Sequence, residues 1–283
     1  VLPPWSVLAA SIYEGKAFRE GRPDHTFTQE VEVGLPYRFG LAVETSLESF
    51  HGLVQGKTIS LEARYALADW NKIPLNPTIF AEYKWGVGRI LHEEALGAAP
   101  EEDAPEPDRA MHRLSTEFGR RRGHHLVGEE DAGGDGGEFD AGARPKLPDA
   151  IEGRLLLAQD FGEKVEWAMN GFFEQEIGGD RGREWGVAQS ISIPVTRNEW
   201  LKAGVEMQYT NFSDKDLRDD PEHRFVVGPT IAWKPARWCR LDVSELFGTT
   251  NESPAAQTFV VFSMLLGGSS SGEAEAPVST RNR

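Results

Sequence analysis

Stretches of about ten residues that alternate apolar with polar side chains recur along this chain, and the polar partners are often Glu, Arg or Lys. The segment Ile59-Ser60-Leu61-Glu62-Ala63-Arg64-Tyr65-Ala66-Leu67 is representative. Its odd positions are Ile, Leu, Ala, Tyr and Leu, and its even positions are Ser, Glu, Arg and Ala. Side chains on a strand point alternately to opposite faces, so such a segment has one greasy wall and one charged wall. A soluble sandwich alternates too, with its charged face toward bulk water. Many such strands with no helical segment to cover them fit better in a closed barrel in lipid, apolar outside and wet inside.

Composition does not oppose this reading. Charged residues make up 27% of the 283 residues, and the mean hydropathy is -0.44. Those values count against helical spans, which need about 20 consecutive apolar residues. A barrel strand needs only about 9–11 residues, half of them apolar. The net charge of -15 disfavours a nucleic-acid partner. The single cysteine, Cys239, rules out an intrachain disulfide and any cysteine-rich metal or haem-attachment motif. The chain begins at Val1 and carries no signal-peptide pattern, as a processed exported chain would.

Twelve strands are expected, near 6–16, 25–35, 38–50, 57–68, 77–88, 150–161, 164–176, 183–194, 199–212, 223–234, 239–248 and 256–267. Their connections alternate in length. Leu35-Pro36-Tyr37-Arg38, 161–164, 194–198 and 234–237 are tight, and 69–74 is a longer member of that set. The neighbourhood of Arg22-Pro23-Asp24, a Gly52 to Lys57 loop, an insertion over 90–149, and 178–182, 213–222 and 249–256 are more generous. Short turns at one end and longer loops at the other are the pattern of outer-membrane barrels, and an even strand count places both termini at the short-turn, periplasmic side.

Alternation also assigns faces. Phe39, Leu41, Val43 and Leu47 should meet lipid, as should Ile79, Ala81, Tyr83, Trp85 and Val87. The residues expected to line the lumen are Glu30, Glu32, Glu44, Glu48, Glu62, Arg64, Glu82, Lys84, Arg154, Glu166, Asn170, Glu174, Lys202, Glu206, Arg224 and Arg240. Catalysis needs two placed carboxylates, whereas a wet barrel wall needs many, so these residues read as cross-strand ion pairs lining a hydrophilic, moderately cation-preferring interior. Trp70, Trp185, Trp200, Trp233 and Trp238 near strand ends suit an interfacial girdle. Glu245 and Gln189 break the pattern by falling on the lipid side. A lipid-facing Arg or Lys costs about 2–4 kcal/mol at the midplane and Glu less, so such misfits are tolerable near a rim.

Residues 96–149 are rich in Glu, Asp, Gly, Pro and Ala and cannot bury enough apolar surface to offset ordering entropy. They should form a solvated external loop. His124 and His125 lie near Glu129, Glu130, Asp131 and Asp135, but the spacing fits no known calcium loop. No P-loop, dinucleotide fingerprint or zinc-protease motif is present. The outer-membrane phospholipase pattern, a strand-borne His-x-Ser, is approached only by His112-Arg113-Leu114-Ser115, with the wrong spacing.

Three segments together carry a family likeness: Glu30 to Phe39, Leu67 to Pro77 and Gln159 to Lys164. They resemble the turns of small outer-membrane barrels of the putative phenol-degradation-pathway transporter type, which implies a barrel and an uptake role without naming a solute. Such barrels usually end on an aromatic that the barrel-assembly machinery reads. Here Gln257 to Leu266 is followed by a Gly/Ser run and an acidic tail, so either that recognition differs or Phe262 substitutes internally.

The expectation is therefore an all-β chain, a single antiparallel transmembrane β-barrel of about 12 strands over 1–268 with one long external loop and a disordered tail over 269–283. Its expected role is a non-enzymatic outer-membrane channel or porin-like protein for passive uptake of small solutes, with no cofactor and no metal. Its expected partners are outer-membrane lipid, small solutes and the assembly machinery, with no nucleic acid. The alternative is a plugged structural or binding barrel that presents the acidic loop to an extracellular partner.

Overall fold

A computed structural model describes residues 1–19, 21–50, 53–90, 145–162, 164–179 and 181–267. Most of the 90–149 insertion, with its histidines, acidic run and His112-Ser115 pair, and the tail beyond Gly267 lie outside the described residues. The twelve strands are β1 (Ser6–Ala17), β2 (Asp24–Leu35), β3 (Phe39–Phe50), β4 (Leu53–Ala66), β5 (Thr78–Gly86), β6 (Ala150–Phe161), β7 (Val165–Glu176), β8 (Arg183–Pro194), β9 (Leu201–Ser213), β10 (Glu222–Ala236), β11 (Cys239–Gly248) and β12 (Ala256–Gly267). Each pairs antiparallel with its sequence neighbours, and β1 pairs with β12 from Ser6↔Gly267 to Ala17↔Ala256. The sheet is closed and has no free edge, so backbone donors and acceptors are satisfied strand to strand without water.

The connections sort to two rims. One rim carries 36–38, 67–77, 162, 164, 195–200 and 237–238, together with Trp5 and Gly267. The other carries 18–19, 21–23, 87–90, 145–149, 177–179, 181–182, 214–221 and 249–255. One expected connection is corrected. Of the expected Gly52 to Lys57 loop, Leu53 to Lys57 belong to β4, which starts at Leu53 and pairs there with Phe50. A register shift beside Ser46 and Leu47 absorbs an extra residue at Lys57, since Ser46 faces Thr58 while Leu47 faces Gly56. Gly56 and a polar Lys57 make the sequence read as a turn, but a bulge uses the same residues inside a ladder.

Register fixes the faces. Val31 faces Val43, Val43 faces Leu61, Leu61 faces Tyr83, and Tyr83 faces Ile151, a continuous apolar row on the exterior. Large apolar side chains such as Val43, Val205, Ile79, Ile191 and Phe247 are exposed on this outer surface. The buried set is instead mostly polar. Among the described residues, six apolar ones, Ala10, Ala42, Phe80, Ala150, Val226 and Leu246, are buried, against seventeen polar or charged ones. This reverses the order of a soluble protein, and lipid rather than water suits such an exterior.

Exposed aromatics gather at both rims. Tyr37, Trp70, Phe161, Trp200 and Trp238 mark the short-turn end, while Trp85, Trp185 and Phe173 mark the other. The two polar misfits do face outward. Glu245 Oε2 accepts a 2.6 Å hydrogen bond from the Thr258 hydroxyl, and the Gln189 amide lies 3.5 Å from the Met207 sulfur. Glu245 sits toward the long-connection end of β11, opposite Thr258 of β12, away from the midplane where a carboxylate costs most.

Two interior glycines permit close strand approach. A Cβ on Gly228 would lie 1.9 Å from the Glu245 carbonyl oxygen, and one on Gly34 would lie 2.1 Å from that of Pro3. Residues 1–3 can therefore tuck against the interior of β2 and β3 at the short-turn end, where the Trp5 N–H donates to the Gly34 carbonyl at 2.7 Å.

Candidate functional site: the charged interior wall

The strand registers bring five glutamates side by side. Glu62 of β4 faces Glu82 of β5, Glu82 faces Glu152 of β6, Glu152 faces Glu174 of β7, and Glu174 faces Glu184 of β8. On the other side Glu62 faces Ala42, which faces Glu32 of β2. Neighbouring strands stand about 4.8 Å apart, so the five carboxylates span roughly 19 Å of wall. Two like charges about 5 Å apart repel by about 3 kcal/mol at an effective dielectric of 20. Five in a row would not persist without counter-charge.

Cations from the adjacent rows supply it. Arg64 donates to Glu30 at 2.7 Å and to Glu32 and Glu62 at 2.5 Å each. Lys84 donates to Glu152 and Glu174 at 2.5 Å each and lies 3.6 Å from Glu82. Arg154 pairs with Glu152 and reaches within 3.9 Å of Glu82. On the short-turn side of the ladder, the row Arg64, Phe80, Arg154 is also in register. The buried Phe80 ring lies between the two guanidiniums, at 5.4 Å from Arg64 and 4.7 Å from Arg154. These contacts orient both cations by quadrupole attraction while their ends serve the acids.

The wall is lopsided. Around the ladder, Glu30, Glu32, Glu44, Glu62, Glu82, Glu152, Glu174 and Glu184 lie beside three interior cations, Arg64, Lys84 and Arg154, among the described residues. The remaining wall is closer to balance. Lys202 pairs with Glu166, Arg224 with Glu222, Arg240 with Asp242 at 2.8 Å, and Lys16 with Glu14 at 3.0 Å. The Ser244 hydroxyl donates to Glu206 at 2.8 Å and lies 2.8 Å from the Thr230 hydroxyl, which can donate to it.

The sixteen residues singled out in the sequence all fall on this interior face. Glu48 accepts from the Gln55 amide at 2.5 Å, and the buried Asn170 Oδ1 has no hydrogen-bond partner. Sequence reasoning missed Glu14, Lys16, Glu152, Glu184, Glu222 and Asp242. Continued alternation from Arg154, Arg224 and Arg240 would have found Glu152, Glu222 and Asp242. Glu184 follows Arg183 at the start of β8, where two charges in succession hide the face. Among the described residues, one group of three acids could hold a metal ion: Glu44, Glu62 and Glu82.

No protein-family model matches the chain, and no curated protein matches it. Solved structures with similar backbones are outer-membrane barrels. The NanC porin aligns at a TM-score of 0.49 and 5% identity, covering 92% of this chain and 98% of that one. The β domain of the Bordetella autotransporter BrkA aligns at 0.48 and 7%, covering 93% and 99%. The KdgM porin aligns at 0.46 and 8%, covering 92% and 99%. Likeness at this level fixes neither a family nor a solute.

Proposed function

We propose that this protein is an outer-membrane channel, a porin-like barrel that passes small solutes passively, with a preference for cationic or neutral ones over anions. The observation that carries the reading is the closed barrel with its two opposite faces, an apolar exterior and an acid-dominated interior. Lipid accepts the first face, and only water or a polar solute accepts the second. Twelve strands lie between the about 8 that leave room only for side chains and the 16–18 that leave a water-filled channel. The long interior side chains therefore set the bore. The excess of carboxylates over Arg64, Lys84 and Arg154 around the glutamate ladder gives that bore a negative field, which draws cations and slows anions. Uptake as the direction of transport, and kinship with the phenol-degradation-pathway type, rest on the turn segments alone.

A second reading has its own observation. Ion pairs such as Arg64 with Glu30 and Lys84 with Glu174 span two strand spacings and draw long side chains together across the wall. A barrel narrowed in this way would serve as a scaffold for its outer connections. Conductance of the purified protein in a planar lipid bilayer separates the two. Discrete, stable, cation-selective steps are expected of the channel, whereas inserted protein that stays silent would establish the closed scaffold instead.

A further inference from the structure

The barrel's outer surface is not evenly bulky. On the exterior, one register row runs Leu41, Ala63, Ala81, Gly153, Phe173 from β3 to β7. Its middle members present a methyl group or a hydrogen, while Leu61, Tyr83 and Ile151 of the next outward row stand beside them. The result is an open apolar groove of about 490 Å³, with Leu41 at one end and the Phe173 ring at the other. Four strand spacings make it about 19 Å long. Leu41 is the third residue of β3 from the short-turn rim, whereas Phe173 is the fourth residue of β7 from the long-connection rim. The groove therefore descends obliquely through the apolar belt, as a row across tilted strands must.

A separate observation lies at the upper end of the groove. Arg183 opens β8 and shares the outward side with Trp185. Its guanidinium lies 5.7 Å over the Phe173 ring, and its Nε donates to the Gln175 Oε1 at 3.1 Å. Arg183 is exposed and has no acid within salt-bridge distance among the described residues. Arg218, in the β9–β10 connection, donates to the Ser213 carbonyl at 2.6 Å and to the Arg181 carbonyl at 2.5 Å, which ties it to the turn before Arg183. Partial desolvation and then the Arg183 charge lower the Arg218 pKa from its ordinary value, while Asp214 and Glu176 act the other way. Two guanidiniums are thus held near each other by amide, carbonyl and ring contacts. The exposed Trp185 and Tyr209, in edge contact at 5.7 Å, place them at the depth of lipid head groups, where such amphipathic rings collect.

We propose that this groove and the Arg183–Arg218 pair bind one anionic lipid of the leaflet at the long-connection rim, with its phosphate head on the guanidiniums and an acyl chain along the groove. Hydrocarbon surrounds the barrel at this face, and a groove too deep for a neighbouring chain to fill loses dispersion contacts along its floor. A chain that lies in it restores them. Charge sets the head. A guanidinium is a planar fork that meets phosphate oxygens in pairs, and such contacts strengthen where water is partly excluded. An outward arginine without counter-charge is disfavoured near lipid, and a phosphate partner removes that cost. Groove and cations meet at one ring, Phe173, which walls the first and lies under the second. The site rests on the barrel's place in the membrane and not on an open bore.

The test uses the full chain, delipidated in detergent micelles and offered dioleoyl phosphatidic acid or dioleoyl phosphatidylcholine, with bound lipid counted by native mass spectrometry. The expected result is one retained lipid, with phosphatidic acid preferred about tenfold or more, the worth of one charge-assisted hydrogen bond. Arg183→Gln should remove most of that preference. Gly153→Leu should weaken retention of both lipids by filling the groove. It has room to fold, since a Cβ at Gly153 comes no nearer than 4.0 Å to the Phe80 carbonyl oxygen. Val205→Leu, outward on β9, should change neither. Equal retention of both lipids by the parent would overturn the proposal, as would an undiminished preference in Arg183→Gln or undiminished retention in Gly153→Leu. Displacement of the lipid by inorganic phosphate would reduce the site to its cations, and a dimer that Gly153→Leu dissociates would give the groove to a second copy. Either outcome also overturns it. Conductance plays no part in this readout, so a barrel that is silent in bilayers can still pass it and a conducting one can still fail it.

Discussion

At the residue scale, Lys84 shares with Arg64 the task of serving three acids of the wall. It is 20% exposed and holds Glu152 and Glu174 together across two strand spacings. Lys84→Met would keep most of the volume and leave Glu82, Glu152 and Glu174 with Arg154 as their shared cation. Removing one partner of a buried ion pair costs about 3–5 kcal/mol. Partial access to lumen water should lower that to about 2–3 kcal/mol. Urea unfolding in detergent, followed by tryptophan fluorescence, should show the loss, and adding Glu174→Gln should recover part of it. A full recovery from Glu174→Gln would mean that Glu152 is satisfied by Arg154 alone. Individual wall residues were legible in the sequence wherever charge and apolar side chains alternated cleanly, as from Ile79 to Trp85. Legibility failed at Glu184, where Arg183 precedes it and blurs the period. Which acid meets which base was not legible at all, because Arg64 reaches Glu30, which lies 34 residues away along the chain.

At the element scale, the turns carry strain that sequence rules would discourage. In the Pro36–Arg38 turn, Tyr37 and Arg38 both adopt positive φ, 62° and 66°, a conformation that suits Asn-Gly. Each non-glycine residue held there costs about 1–2 kcal/mol. Arg38 has compensation, since it donates to the Ala66 carbonyl at 3.2 Å and the Tyr65 hydroxyl at 3.3 Å, and lies over the Tyr65 ring. Tyr37 is 86% exposed. Tyr37→Asn should therefore raise stability by about 1 kcal/mol in detergent, read as a higher urea midpoint with an unchanged slope. A lowered midpoint would show that the exposed ring anchors the rim. The strands themselves were legible because turn residues and β-branched alternation agreed over most of the chain. The start of β4 was not, since Gly56 and Lys57 serve a bulge rather than a turn. The bulge costs one residue of register and sets Gln55 opposite Glu48 on the interior face.

At the scale of the whole molecule, the barrel was legible from two averages, alternation along strands and the lengths of what joins them. The glutamate ladder was not, because register accumulates through every connection, and a single-residue slip would move each strand's acids to the other face. The proposed selectivity follows from the ladder as a collective field. Glu174→Gln with Glu184→Gln removes two acids that lie side by side and should shift the reversal potential under a salt gradient toward that of a non-selective pore. An unchanged potential would place the selectivity elsewhere in the lumen. The ladder also bears on how the wall is put together. A β5–β6 pair carries Glu82 and Glu152 against Lys84 and Arg154, so its part of the ladder is neutral by itself and Asp160, toward the short-turn end, is its one further inward acid among the described residues. A β7–β8 pair brings Glu166, Glu174 and Glu184 inward, and the lysines that meet the first two come from β9 and β5. That hairpin cannot settle into lipid on its own account; its charge is met only by strands on either side of it. Insertion of this barrel should therefore have a sequence in time, with β7 and β8 unable to precede the neighbours that neutralise them.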